Sequence, residues 1–266
     1  IVPTGFLEGE SAFSARNGFV ISTLDEAKAA IDWYAAHGYP QLKIYNSFPK
    51  DILKATVAYA HSRGLRVSGH VPAFLKAEDA IHAGFDEIQH INQLMLNFLV
   101  KPDTDTRTLD RFYLPAKQVA DLDLNSEKVQ DFIKLLKEHK VSVDPTLATF
   151  DFLKKVDGTV GEPWRAIVKH LPPDIQRAYA RAELDIPDEA TAERYARSYA
   201  KMVEFTGMMY RAGIPVVAGT DELAGFTLQG ELELLVKAGL TPSEALQVAT
   251  LNGARFSRVE QNKGQI

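Results

Sequence analysis

The sequence contains no cysteine among its 266 residues. This absence excludes disulfide bridges, a thiolate nucleophile and cysteine-ligated metals, and it leaves His, carboxylate and Lys side chains for any metal chemistry. Apolar runs are far shorter than the roughly 20 residues that a membrane-spanning helix needs, and no signal-peptide pattern opens the chain. We therefore expect a soluble protein without a membrane partner, in the cytoplasm or in a bacterial periplasm.

The sequence also lacks an excess of basic over acidic residues. Thirty Lys and Arg residues face 35 Asp and Glu residues, which gives a formal net charge of −5. Because no global positive field results, we expect no nucleic-acid partner, and any polyanion site has to be local. The 45% hydrophobic and 24% charged composition is typical of a globular chain with one large core, and it excludes disorder, collagen and coiled coil.

A repeated unit of helix, glycine and short apolar strand runs along the chain. Residues 24–37 have apolar side chains at helical spacing, Gly38 ends the helix, and a strand is predicted at 42–45. The same pattern predicts helices at 50–63, 77–83, 126–140 and 189–212 and strands at 65–68, 85–89, 141–143 and 214–218. This repetition is typical of parallel α/β proteins, either a (β/α)8 barrel or a doubly wound sheet.

Both ends of the chain and two long segments depart from that pattern. The sequence starts at Ile1 instead of Met and stops inside what resembles a turn, so we interpret it as a fragment or a processed product. A further strand is predicted at 1–4. The segments 91–125 and 150–188 exceed normal connection lengths. We therefore expect a single domain over residues 1–266, with insertions near these two segments.

Four polar residues lie where predicted strands end, namely Lys43, His70, His90 and Asp221. Carboxyl ends of parallel strands open on one face of a sheet, so these side chains are expected to converge. Taken singly, a histidine at a strand end is more often a hydrogen-bonded structural residue, and Asp221 could cap the following helix. The coincidence of four such residues at successive strand ends favours a functional site.

These positions resemble the amidohydrolase superfamily, in particular its imidazolonepropionase-like and Xaa-Pro-dipeptidase-like metal-dependent hydrolases. The motifs that carry the resemblance are LKI at 42–44, GHVP at 69–72, IQH at 88–90, VDPTL at 143–147, AGTD at 218–221 and AGLTPSEAL at 238–246. The resemblance implies a TIM-type (β/α)8 barrel, incomplete here, of which about strands 3 to 8 and helical insertions are present.

The same resemblance implies a centre for one or two divalent metal ions, with zinc as the expected ion. Its ligands would be Lys43 on the fourth strand, His70 on the fifth, His90 on the sixth and Asp221 on the eighth, and Lys43 would be carbamylated in a two-metal site. The family places a His-x-His pair on its first strand, and this sequence contains none. We therefore expect the chain to hold half of a two-metal site and to be inactive by itself.

The implied reaction is hydrolysis of an amide-type bond of a small-molecule substrate by metal-activated water. Dipeptides, N-acyl amino acids and cyclic amides are the expected substrates. Asp221 would be both metal ligand and proton acceptor, and Tyr45 and Thr146 would contact the substrate. The sequence sets no oligomeric state, and a homo-oligomer is compatible with it.

Two other interpretations stay open. In one, the chain is a catalytically silent or truncated scaffold that lacks the His-x-His ligands. In the other, a barrel enzyme such as an aldolase uses Lys43 to form a Schiff base. The second ranks last, because Schiff-base chemistry does not require His70, His90 and Asp221 at neighbouring strand ends.

Overall fold

The computed structural model describes residues 2–222 and 225–265 and shows an α/β protein built on parallel strands. The strands are β1 (Thr4–Gly9), β2 (Phe19–Ile21), β3 (Gln41–Ile44), β4 (Arg66–Gly69), β5 (Glu87–Gln89) and β6 (Ser142–Asp144). One sheet has the order β2-β1-β3-β4 and a second pairs β5 with β6, with every pair parallel. The Asp86 N–H donates to Val67 O at 2.9 Å, which brings β5 alongside β4.

Twelve helices surround these strands in the described residues. They are α1 (Leu24–Ala36), α2 (Leu53–Ser62), α3 (Ala77–Ala83), α4 (Ile91–Leu96), α5 (Asp110–Gln118), α6 (Glu127–Glu138), α7 (Leu147–Phe150), α8 (Pro173–Tyr179), α9 (Glu189–Arg211), α10 (Leu228–Lys237), α11 (Pro242–Gln247) and α12 (Gly253–Phe256). Local sequence explains several boundaries: Thr23 and Glu26 form a capping box at the start of α1, and Gly84 ends α3 with a φ of 105°. None of these helices is long and apolar enough to cross a bilayer.

The predicted alternation of helix and strand is confirmed, whereas two strand predictions are wrong in extent. The strand expected at 1–4 runs over Thr4–Gly9 instead, and Ile1 lies outside the described residues. The polar Glu8 interrupts the apolar pattern from which this strand would have been predicted. In the structure the Glu8 carboxylate is buried and accepts the N–H groups of Gly9 and Ser47. The strand expected at 214–218 reduces to one parallel bridge between Val143 and Val216.

The two long segments fold as short helices and turns rather than as extended loops. Residues 91–125 contain α4, α5 and a 3-10 turn, and residues 150–188 contain 3-10 turns and α8. Buried apolar side chains form one cluster that reaches from Leu7 to Val248. Because this core fixes the strands side by side, the carboxyl ends of β3, β4, β5 and β6 open on the same side of the molecule.

Candidate active site

The candidate site begins at the carboxyl ends of β3 and β4. Lys43 lies within β3, Tyr45 follows the strand, and His70 comes directly after β4. The Tyr45 and His70 rings have centroids 4.1 Å apart, and the Lys43 Nζ lies 5.7 Å from the centre of the Tyr45 ring. The parallel pairing of Ile44 with Gly69 sets these three side chains beside one another.

His90 and Asp221 complete the group. His90 follows β5, and its ring centroid lies 4.5 Å from that of His70 with the two planes nearly perpendicular. The His90 Nε2 lies 3.7 Å from the Asp221 Oδ2. The structure therefore brings Lys43, His70, His90 and Asp221 to the same end of the sheet, as the strand-end positions predicted.

Each histidine is held by a hydrogen bond on one side of its ring. The His70 Nδ1 lies 2.7 Å from the Asn46 Oδ1, and the His90 Nδ1 lies 2.7 Å from the Thr146 Oγ1. Because the Asn46 Oδ1 is an acceptor, the His70 Nδ1 carries the proton and its Nε2 carries a lone pair. Both Nε2 atoms are buried and have no hydrogen-bond partner among the described residues. Histidines that bind metals typically have one ring nitrogen hydrogen-bonded and the other facing the ion. With Nδ1 hydrogen-bonded and Nε2 without a partner in the described ranges, these two residues fit a divalent ion.

The electrostatics agree with that arrangement. Burial lowers the pKa of both His70 and His90 well below the usual value, and the nearby charges of Lys43 and Arg111 lower it further. The imidazoles are therefore neutral at pH 7, the form that binds a metal. Within residues 2–222 and 225–265, three His, Asp or Glu side chains do not meet at one point that could hold a metal ion. The candidate centre consists instead of two imidazoles, Lys43 and the more distant Asp221 carboxylate.

A cavity of about 80 Å³ opens beside these groups. Tyr45, His70, His90 and Asp221 line it. The insertions supply further lining residues, Arg111 and Phe112 of α5 together with Phe150 and Phe152. Arg111 is a site residue that the sequence analysis missed, because the only sequence signal was the length of the insertion that carries it.

Asp144 is a second residue that the sequence analysis did not assign. Its carboxylate is buried near the main-chain N–H groups of Gly219 and Thr146, which lower its pKa, but burial dominates and raises that pKa to about 7. A Cβ at Gly219 would overlap this carboxylate. Asp144 thereby joins the segment that leads to Asp221 with the segment that carries Thr146. The Thr146 side chain is buried behind His90, and its role as a substrate contact stays a prediction.

Comparison with known proteins identifies the family of the chain. The amidohydrolase family model matches residues 33–266, and the chain belongs to that family. A solved structure titled bottromycin amidohydrolase has a TM-score of 0.69 and 21% identity, over 96% of this chain and 55% of that chain. A Xaa-Pro dipeptidase with bound methionine in the active site has a TM-score of 0.53 and 18% identity, over 95% of this chain and 54% of that chain.

A curated relative is described as an uncharacterized protein of Mycobacterium tuberculosis. It is 25% identical over 258 residues, which cover 90% of this chain and 53% of the relative. The chain thus spans about half the length of the proteins that it matches. At these identities the two solved structures establish the fold.

Proposed function

We propose that the chain contributes the catalytic site of a metal-dependent hydrolase that cleaves an amide-type C–N bond of a small-molecule substrate. Dipeptides, N-acyl amino acids and cyclic amides are the substrates to test. The observation that carries the proposal is the pair of buried, neutral histidines whose Nε2 atoms have no hydrogen-bond partner in the described part of the chain, with the His90 Nε2 3.7 Å from the Asp221 Oδ2. Membership of the amidohydrolase family and the hydrolase titles of the similar structures support it.

His70 and His90 would hold the ion through Nε2, together with Asp221 and a carbamylated Lys43. One or two bound divalent ions, with zinc as the expected metal, would activate water and polarise the scissile carbonyl. Asn46 and Thr146 keep the two imidazoles in their ligating orientation. Asp221 faces the cavity with a largely exposed carboxylate, where an Oδ atom can accept a proton and return it to the leaving nitrogen.

Tyr45 is the proposed substrate contact that faces the cavity directly. Its ring lies against His70, and burial raises the pKa of its hydroxyl group, which therefore stays protonated and able to donate a hydrogen bond. The Thr146 hydroxyl lies on the far side of His90, so any effect of Thr146 on substrate binding would act through that ring.

We further propose that the parallel strands belong to a TIM-type (β/α)8 barrel. β1, β3, β4, β5 and β6 and the Val216 bridge would be its strands 3 to 8, in chain order around the barrel. The sequence contains no His-x-His pair, so such a pair in a two-metal centre would have to come from outside residues 1–266.

A catalytically silent scaffold is the alternative. It is favoured by the observation that, in the part of the chain that the structure describes, three His or carboxylate ligands do not converge on one point. In that case the fold would keep His70 and His90 without supporting turnover.

The decisive experiment compares the 266-residue chain with a version extended upstream in its reading frame. Bound metal is measured by mass spectrometry, and hydrolysis is measured on dipeptides, N-acyl amino acids and cyclic amides. We expect stoichiometric metal and turnover in the extended protein, and weak metal binding without turnover in the shorter chain. His70→Ala in the extended protein should lose metal and activity, whereas His61→Ala, at an exposed histidine paired with Asp86, should retain both.

An extended protein that binds metal but hydrolyses none of these amides would support the silent scaffold. Equal metal content and activity in both versions would show that the ligands are residues other than those proposed.

A further inference from the structure

A second, larger cavity of about 750 Å³ lies at the opposite end of the strands. Arg66 and Ser142 line it, and they are the first residues of β4 and β6. His70 and His90 follow the carboxyl ends of β4 and β5 and belong to the other cavity. The two cavities share no lining residue, so a ligand in the larger one would not touch the candidate active site.

The larger cavity concentrates positive charge in a chain whose net charge is −5. Five cationic side chains line it, those of Arg66, Lys140, Arg211, Arg255 and Arg258. Glu244 is the single carboxylate among the described lining residues, and it already accepts the Thr241 N–H at 2.7 Å. None of the five cations forms an ion pair with a carboxylate of the described residues.

Main-chain carbonyl groups hold three of these cations in place without neutralising them. Arg66 donates to Phe256 O, Arg211 to Ala238 O at 3.3 Å, and Arg258 to Gly64 O at 3.3 Å. Burial lowers the pKa of Arg66, the charges of Asp86 and Glu87 raise it, and Arg258 lowers it by like-charge repulsion. The guanidinium groups are therefore positioned in advance, with donors left for an anion.

We propose that this cavity binds a small anion that carries a phosphate group. Guanidinium forks match phosphate oxygens in geometry, and an anion would relieve the repulsion between Arg66 and Arg258. The volume lies within the range of about 300–1,000 Å³ that is typical of small-molecule sites. Ile214, Val217 and Phe256 supply apolar wall for a carbon or ring portion of the ligand. A concave site of this size favours a small molecule over a nucleic-acid strand.

Binding would also connect distant parts of the chain. Arg66 opens β4, whereas Arg255 and Arg258 lie in and just after α12, so one anion would bridge the sheet and the C-terminal helix. A ligand that binds only the folded protein raises its stability in proportion to the logarithm of ligand concentration. The thermal midpoint should therefore rise with the concentration of the anion.

The test uses isothermal titration calorimetry and thermal unfolding of the 266-residue chain with pyrophosphate, at constant ionic strength and without added metal. We expect saturable binding of pyrophosphate by the parent chain. A double variant, Lys140→Gln with Arg255→Gln, should bind pyrophosphate at least 10-fold more weakly. Both side chains are exposed, so the variant should keep the circular dichroism spectrum and the thermal midpoint of the unliganded chain. The control, Lys128→Gln with Arg165→Gln, removes two exposed cations elsewhere and should bind as the parent does.

A variant with His70→Ala and His90→Ala separates this proposal from the proposed hydrolase. It should retain pyrophosphate binding, and loss of binding there would place the anion at the candidate active site and overturn the proposal. The proposal would also be overturned if pyrophosphate showed no saturable binding, or if the control pair weakened binding as much as the double variant does. It would likewise be overturned if a single-stranded oligonucleotide bound equally tightly through the same two cations. Tighter binding of a nucleoside triphosphate than of pyrophosphate would support the role of the apolar wall.

Discussion

The Nε2 of His90 and the Oδ2 of Asp221 lie 3.7 Å apart, although 130 residues separate them in the sequence. Both residues have a positive φ, 73° for His90 and 49° for Asp221, and Thr146 beside them has a φ of 47°. A positive φ is uncommon for non-glycine residues, although Asp, Asn and His adopt it more often than others, and such conformations cluster at functional sites. Surrounding contacts hold this conformation: the His90 N–H donates to Asp144 O at 2.7 Å.

Asp221→Asn should abolish turnover while leaving the fold intact. Asparagine tolerates a positive φ and keeps one side-chain oxygen, but it removes the charge and the proton acceptor. We expect kcat of the metal-loaded protein extended upstream to fall by about 100-fold or more, with an unchanged thermal midpoint. Asp174→Asn, at an exposed carboxylate on α8, is the control. A variant that retains the parent kcat would exclude Asp221 as the proton acceptor.

Thr146→Val should weaken metal binding. The substitution preserves shape but removes the hydroxyl that pairs with the His90 Nδ1, and loss of such an orienting partner typically costs about 10–100-fold in metal affinity. A chelator competition assay measures this change. Thr56→Val is the matched control, because Thr56 is also buried but its hydroxyl has no partner among the described residues. Equal affinities in the two variants would mean that Thr146 does not orient His90.

Gly219→Ala should destabilise the protein by about 1–3 kcal/mol, since the added methyl group overlaps the Asp144 carboxylate and forces it to move. The free energy of unfolding in urea is the measurement. Gly253→Ala provides the contrast: this glycine has a helical φ of −59° and nothing within 4 Å of the added carbon. It should stabilise the protein by up to about 1 kcal/mol. Stability that is equal in both variants would contradict the close approach of Gly219 and Asp144.

Stability should fall as the pH rises from about 4.5 to about 8. Burial raises the pKa of Glu87 from 4.5 to about 8, with a further contribution from Asp144, so the folded state holds a proton that the unfolded state releases. This stabilisation is complete below the pKa that Glu87 has in the unfolded state, and it is lost as the pH rises through the pKa that Glu87 has in the folded state. Glu87→Gln should flatten this dependence by up to about 1.4 kcal/mol per pH unit.

Urea unfolding at a series of pH values measures that slope. Glu204→Gln, at an exposed residue of α9, should leave it unchanged. A steep slope that survives Glu87→Gln would show that other buried acids, such as Glu231 with a pKa raised to about 8, dominate the pH dependence.

The positions of Lys43, His70, His90 and Asp221 could be predicted because each follows from a short pattern of apolar residues before it. Their partners could not be predicted in this way. Asn46 lies in the turn after β3, and it meets His70 only because Ile44 pairs with Gly69 in the sheet. Arg111 reaches the cavity through the path of a long insertion, which depends on tertiary packing rather than on local periodicity.

The strand predicted at 214–218 failed for a related reason. The Val143 N–H donates to Pro215 O and the Val217 N–H donates to Val143 O, so this segment pairs only around Val216. An apolar run shows that a segment is buried, but ladder formation also requires a neighbour along its length. The described residues supply such a neighbour only at Val143.

The origin of the cavity walls has an evolutionary consequence. Asn46 and Thr146, which orient the histidines, lie in short turns directly after strands, whereas Phe112 and Phe152 come from the two long insertions. Insertions tolerate substitution and changes of length better than strand ends do. Selection could therefore reshape what the cavity admits by altering residues 91–125 and 150–188 alone, while the groups that hold the imidazoles stay in place.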